Sequence, residues 1–236
     1  MALSLLGKTA LVTGSTSGLG LAIAKAFARQ GANIVMNGFG DKDSAIQEVI
    51  KFASPVAEPI VHFGDADMSN PTAIERMVED ASNRFGGIDI VVNNAGIQHV
   101  CALDDFPAER WDAIMAINLS ACFHTTRLTL PHMKRNNWGR IINVASTHGL
   151  VGSVGKSAYV AAKHGVVGLT KVTALELAKT NITANAICPG WVLTPLVQKQ
   201  IEARAIAHNC SVEVCDIRGL IFRKLVLYTV VVIFHI

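Results

Sequence analysis

The chain has 236 residues, half of them hydrophobic and 17% charged, with a formal net charge of +3. That length accommodates one sizeable core, and the scattered Lys and Arg form no basic stripe of the kind nucleic acid requires. Five cysteines (Cys101, Cys122, Cys188, Cys210 and Cys215) form an odd set without a C-x-x-C pair, which argues against a disulfide framework or a metal site and fits a reducing, cytoplasmic setting.

Met1 to Gly7 has neither a charged leader nor a long apolar core, so no export signal is expected. From residue 8 to about 195, short β-rich runs alternate with amphipathic stretches. A first strand, Thr9 to Thr13, leads through a glycine turn into a helix, Leu19 to Gln30, with Leu19, Ile23, Ala26 and Phe27 on one face and Gly31 as its stop. Strands follow at Asn33 to Met36, Ile60 to Phe63, Ile88 to Val92, Arg140 to Ala145 and Thr183 to Ile187. Between them helices are predicted at Ala45 to Phe52, Pro71 to Phe85, Pro107 to Met133 and Ala158 to Lys179. Nearly all-apolar strands such as Ile88 to Val92 suit a parallel sheet covered on both faces, so the expected architecture is an α/β, doubly wound open sheet.

Thr13 to Gly20, reading TGSTSGLG, places its glycines where a dinucleotide pyrophosphate would meet a helix N-terminus. Tyr159 and Lys163 stand four residues apart, which on a helix stacks a phenol and an ammonium on one face. A phenol titrates near about 10 when unperturbed, and a neighbouring cation favours its ionised form, the makings of a general acid and base for a carbonyl or an alcohol.

Joined to Asn93-Asn94-Ala95-Gly96, Asn118, Ser146 and Pro189-Gly190, these motifs resemble the short-chain dehydrogenase/reductase family over residues 6 to about 205. The resemblance implies a Rossmann-like doubly wound parallel sheet, a nicotinamide cofactor and a family domain over 1–205. It implies Gly14, Thr16, Gly18 and Leu19 at the pyrophosphate, Asp67 and Met68 at the adenine, Asn94 and Ala95 at the adenosine ribose, and Val192 and Thr194 at the carboxamide. Tyr159 and Lys163 take the proton-transfer roles and both belong to the cofactor set, Lys163 on the nicotinamide ribose; Ser146 orients the substrate oxygen toward Tyr159 and Asn118 joins a water relay to Lys163. At the turn Asn37-Gly38-Phe39 no carboxylate stands at Gly38, and no Arg or Lys lies in 15–19 or 37–40 to pair with a 2′-phosphate. NAD is expected over NADP, with Phe39 in the cofactor set.

Within the family, the segments around Gln98, His148, Lys156 and Gln200 are similar to bacterial-type D-3-hydroxybutyrate dehydrogenases, and those four side chains match the ones that hold the substrate carboxylate. The reaction this implies is interconversion of D-3-hydroxybutyrate and acetoacetate. Reduction of 3-oxoacyl thioesters or another small ketone is the alternative enzyme reading. The resemblance also implies a homo-oligomer, commonly a tetramer.

Residues 206–236 depart from the family pattern, with no counterpart of its last parallel strand and glycine-rich segment. The expectation is an atypical tail such as a truncated or differently translated terminus would leave, and with it a reading of another class, a nucleotide-binding chain without turnover. Leu225 to Ile236, twelve residues after Arg223 and Lys224, falls short of the about 20 that span a bilayer, so a membrane is not an expected partner.

Overall fold

The computed structural model describes residues 3–190, 202, 205 and 206, and the backbone of 230–232. Six strands run parallel: β1 (Thr9–Val12), β2 (Asn33–Asn37), β3 (Val61–Gly64), β4 (Ile90–Asn93), β5 (Gly139–Val144) and β6 (Ile182–Cys188). Their order, β3-β2-β1-β4-β5-β6, reverses direction between β1 and β4, the crevice in which an open α/β sheet binds ligands. The helices are α1 (Gly18–Arg29), α2 (Lys42–Phe52), α3 (Pro71–Phe85), α4 (Ala108–Met115), α5 (Ala121–Arg135) and α6 (Ser157–Glu176). This is the doubly wound sheet that the strand and helix pattern predicts and the Rossmann-like fold that the family resemblance implies.

Both faces of the sheet are buried, which is why the strands carry apolar residues at nearly every position. Ala10, Val12, Ile34, Met36, Ile90 and Val92 pack with Ala24 and Ala28 of α1 and Val49 of α2. Leu11, Val35, Val91 and Ile141 point the other way, onto Ile74, Met77 and Val78 of α3 and Met133 of α5. Helix α3 shows how local chemistry sets an element's ends. The Asn70 side chain accepts from the Thr72 and Ala73 amides, Pro71 needs no donor in the first turn, and Gly86 leaves the helix at φ +78°.

The structure differs from the expected elements at several bounds, α2 beginning at Lys42 rather than Ala45 and α6 ending at Glu176 rather than Lys179. The single helix expected over 107–133 is interrupted by a π-helical segment, Ala116–Ser120, in which the Ala121 amide reaches back five residues to the Ala116 carbonyl. That extra residue per turn rotates Asn118 inward, where it is fully buried. The strand expected to begin at Ile88 begins at Ile90, the preceding Asp89 amide bonding instead to the Thr9 carbonyl. Beyond β6 the sheet gains β7 (Val230–Val232), antiparallel, its backbone paired with Ala186 to Cys188. Among the described residues no seventh parallel strand is present.

Candidate active site

The turn after β1 gives the site its floor. Gly14 adopts φ +62°, and a Cβ there would lie 2.9 Å from the Ala95 Cα, so only glycine lets this turn lie against the loop after β4. Asn94 fastens the two together, its Nδ2 donating to the Thr13 carbonyl at 3.0 Å and the Gly14 carbonyl at 3.1 Å. Thr13 Oγ1 accepts from the Asn94 and Ala95 amides, both at 3.0 Å. Above this floor stands the N-terminus of α1, whose N-cap Ser17 offers no side-chain bond to the first-turn amides. By contrast Asp41 caps α2 through the Ser44 amide. The α1 amides are thus left for an anion, which the helix dipole also favours.

A cleft of about 320 Å³ opens here, bringing together Gly14, Thr16, Gly18, Leu19, Phe39, Met68, Asn94 and Ala95, eight of the residues predicted for the dinucleotide. Asp67 does not line it; its Oδ1 accepts from the Ser69 amide and hydroxyl, each at 2.8 Å. Val192, Thr194 and Gln200 lie outside the described residues. The cleft also contains Asn37, Ile97 and Ile117, which sequence reasoning did not name as site residues. Buried Asn37 donates to the Gly64 and Ala66 carbonyls at 3.0 and 2.9 Å, while its Oδ1 has no partner among the described residues. A glycine cradle, uncapped helix amides and an unpaired acceptor fit an adenine dinucleotide. Thr16 Oγ1 donates to the Phe39 carbonyl at 2.6 Å, holding the β2–α2 turn at the cleft's edge.

The residues expected to move the proton gather at the carboxyl end of β5. Lys163, buried on α6, donates from Nζ to the Val144 carbonyl at 2.6 Å, and the same nitrogen lies 5.7 Å from the Tyr159 ring centre. Ser146, two residues past β5, is buried and caps the 3₁₀ turn Thr147–Gly149 by accepting from the His148 amide at 3.1 Å. That places His148 edge-on to Tyr159, ring centres 6.2 Å apart. Burial, and then the Lys156 charge, hold the His148 pKa below its ordinary value, so the ring is neutral at pH 7. Its Nδ1 is buried without a partner among the described residues. Lys156 itself is 6% exposed, an unusual place for an ammonium. Gln98 is half-buried in the segment after β4.

Asn118, expected to join a water relay to Lys163, has its side chain engaged with the backbone of Ile97. Its Oδ1 accepts from the Ile97 amide and its Nδ2 donates to the Ile97 carbonyl, both at 2.9 Å, which locks the loop after β4 onto the π segment. Its main-chain carbonyl accepts a thiol contact from Cys122, at 3.4 Å. Burial pushes that thiol up to about 11, which keeps it protonated and unreactive.

The family model described as short chain dehydrogenase matches residues 8–205. A D-beta-hydroxybutyrate dehydrogenase of Cupriavidus necator is 67% identical over 207 residues, 88% of this chain and 79% of that protein. A protein of the same name from Rhizobium meliloti is 57% identical over 206 residues, covering 87% and 80% of the two chains. A crystal structure of an actinorhodin polyketide ketoreductase variant with NADPH superposes with a TM-score of 0.80 at 36% identity, over 87% of this chain and 78% of that one. With the family model spanning residues 8–205 and these relatives covering most of the chain, the chain belongs to the short-chain dehydrogenase family and is an oxidoreductase that takes a nicotinamide cofactor.

Proposed function

We propose that this enzyme interconverts D-3-hydroxybutyrate and acetoacetate with NAD. The observation that carries the substrate is the buried Lys156 beside His148, next to the proton-transfer cluster. A substrate carboxylate taken from water needs hydrogen bonds and a positive charge. Lys156, His148 and Gln98, with Gln200, form the carboxylate end of the site. The names of the relatives from Cupriavidus necator and Rhizobium meliloti support the same substrate.

When bound, the nicotinamide supplies the hydride acceptor, with Val192 and Thr194 as its carboxamide partners. Tyr159 takes the substrate hydroxyl proton as the carbon loses its hydride and the C–O bond becomes a carbonyl. In the reverse direction the phenol returns that proton. Ser146 Oγ donates to the substrate oxygen and keeps it within reach of Tyr159. Lys163 places a positive charge beside the developing phenolate. With the Asn118 side chain committed to Ile97, its main-chain carbonyl is the atom that serves a water relay toward Lys163.

NAD is preferred because no Lys or Arg is among the described residues that line the cleft, leaving a 2′-phosphate without a cation. The free thiols of Cys101, Cys122 and Cys188 support a reducing, cytoplasmic setting. Exposed Phe123 on α5 and Val172 and Leu175 on α6 support a homo-oligomer, for which a tetramer is proposed.

Lys156→Ala tests the substrate assignment. A charge-assisted hydrogen bond lost from uniform binding is expected to raise KM for D-3-hydroxybutyrate about 10- to 100-fold, with kcat and the KM for NAD little changed. The same substitution removes a charge that disfavours the imidazolium, so the His148 pKa followed by NMR is expected to rise. An unchanged KM would remove Lys156 from the carboxylate site.

A further inference from the structure

A chain of buried polar side chains crosses the sheet beneath the active site, and the proton-transfer reaction as described does not use it. Thr125 Oγ1 of α5 donates to Asn93 Oδ1 at 2.6 Å, and Asn93 Nδ2 donates to Asn143 Oδ1 at 2.7 Å. Asn143 Nδ2 then donates to Thr170 Oγ1 of α6 at 2.8 Å, and Thr170 Oγ1 donates to the Val166 carbonyl at 2.7 Å. All four residues are at most 3% exposed. Asn93 and Asn143 are register partners at the carboxyl ends of β4 and β5. Asn93 precedes the Asn94-Ala95 wall of the dinucleotide cleft, and Asn143 precedes Val144, whose carbonyl receives Lys163.

We propose that this spine seats α6 on the sheet, making Asn143 and Thr170 positioning residues for Tyr159 and Lys163. The proposal rests on the proton-transfer roles given to that pair above. Tyr159, Lys163, Val166 and Thr170 are spaced four, three and four residues apart, so they share one face of α6. The other buried contacts on this part of the helix are Ala158, Ala162, Val166 and Val167. Small apolar side chains attract without direction, and by themselves they tolerate a slide or a roll of the helix.

Close packing fixes how near α6 lies. A methyl group on Gly149 would stand 2.8 Å from the Lys163 carbonyl oxygen, and one on Gly165 would stand 2.7 Å from the Leu119 side chain. It does not fix where along β5 the helix sits. Two polar attachments do: Lys163 Nζ on Val144, at the end of a flexible stem, and the short Thr170 hydroxyl on Asn143. Hydrogen bonds lose strength steeply once distance and angle depart from ideal, and the members of a chain polarise one another. A misplacement of about 1 Å, less than the 1.5 Å rise of one helical residue, can cost about 100-fold in rate.

The test is Thr170→Val, which keeps the shape and removes the hydroxyl, with Thr170→Ser as the conservative restoration. Expected for Thr170→Val is a kcat lowered by about tenfold or more, with both KM values and the NAD dissociation constant from fluorescence titration within about twofold. Thr170→Ser is expected within about twofold of the unmodified enzyme in every parameter. A Thr170→Val enzyme whose kcat stays within about twofold well below its melting temperature, or a Thr170→Ser enzyme as slow as Thr170→Val, overturns the proposal. Should Thr170→Val not fold, Thr125→Val takes its place, since that hydroxyl lies at the far end of the spine: lowered kcat with an unchanged NAD dissociation constant supports positioning, and unchanged kcat overturns it. Failure of the underlying reading looks different, because then Tyr159→Phe itself would turn over normally.

Discussion

Tyr159→Phe is expected to lower kcat by about 10²- to 10⁴-fold, the range over which a positioned general acid or base contributes. Each tenfold is about 1.4 kcal/mol of transition-state stabilisation, so the loss lies between about 3 and 5.5 kcal/mol. Phenylalanine keeps the ring that packs edge-on against His148 and lies beside the Lys163 ammonium, so the fold has no reason to change. Tyr159 is also not among the residues lining the dinucleotide cleft. NAD binding by titration calorimetry should therefore stay within about twofold, separating chemistry from cofactor capture. Turnover within a factor of about ten of the unmodified enzyme would take the phenol out of the proton transfer.

The second large effect is at Gly20. By propensity alone Gly20→Ala should stabilise α1, alanine being better than glycine in a helix interior by about 1 kcal/mol. Sterics oppose this. A methyl group there would meet the Gly14 carbonyl oxygen and lie 2.5 Å from Asn94 Nδ2, the two groups whose hydrogen bond closes the turn. The nearest obstacle is backbone, with no flexible end to swing aside, and overpacking of this kind costs about 1 to 3 kcal/mol, more than propensity returns. The net prediction is a lower melting temperature and an NAD dissociation constant raised about tenfold or more, since the displaced turn carries the α1 amides away from the pyrophosphate. A higher melting temperature with unchanged NAD affinity would show that the turn has room that the geometry denies it.

Features governed by neighbours in sequence were legible without the structure. The span of α3, Pro71 to Phe85, follows from Pro71 at its start and Gly86 at its end, and the glycine turn from its place between a strand and a helix. The cleft likewise assembles eight of the residues that the family resemblance assigns to the dinucleotide. Features that depend on register across the sheet were not legible. Asn93 pairs with Asn143 fifty positions away, and nothing local marks either as part of a spine that ends on α6. Asn118 is marked only by the family resemblance, and nothing local shows that the π segment turns it inward or that the Ile97 backbone claims its side chain. Asn37 ends an apolar strand, and only the approach of Gly64 and Ala66 shows why an amide stands there. The resemblance assigns Asp67 to the adenine, and nothing local foretells that its Oδ1 accepts from Ser69, as a short carboxylate before a helix commonly does.

The most direct measurement is NADH formation by the purified full chain with D-3-hydroxybutyrate, run beside a titration of NAD binding. Oxidation of the D acid with NAD, abolished in Tyr159→Phe, is the expected result. Saturable NAD binding with no NADH formed from D-3-hydroxybutyrate would contradict it, leaving a chain that holds the nucleotide without carrying out this oxidation.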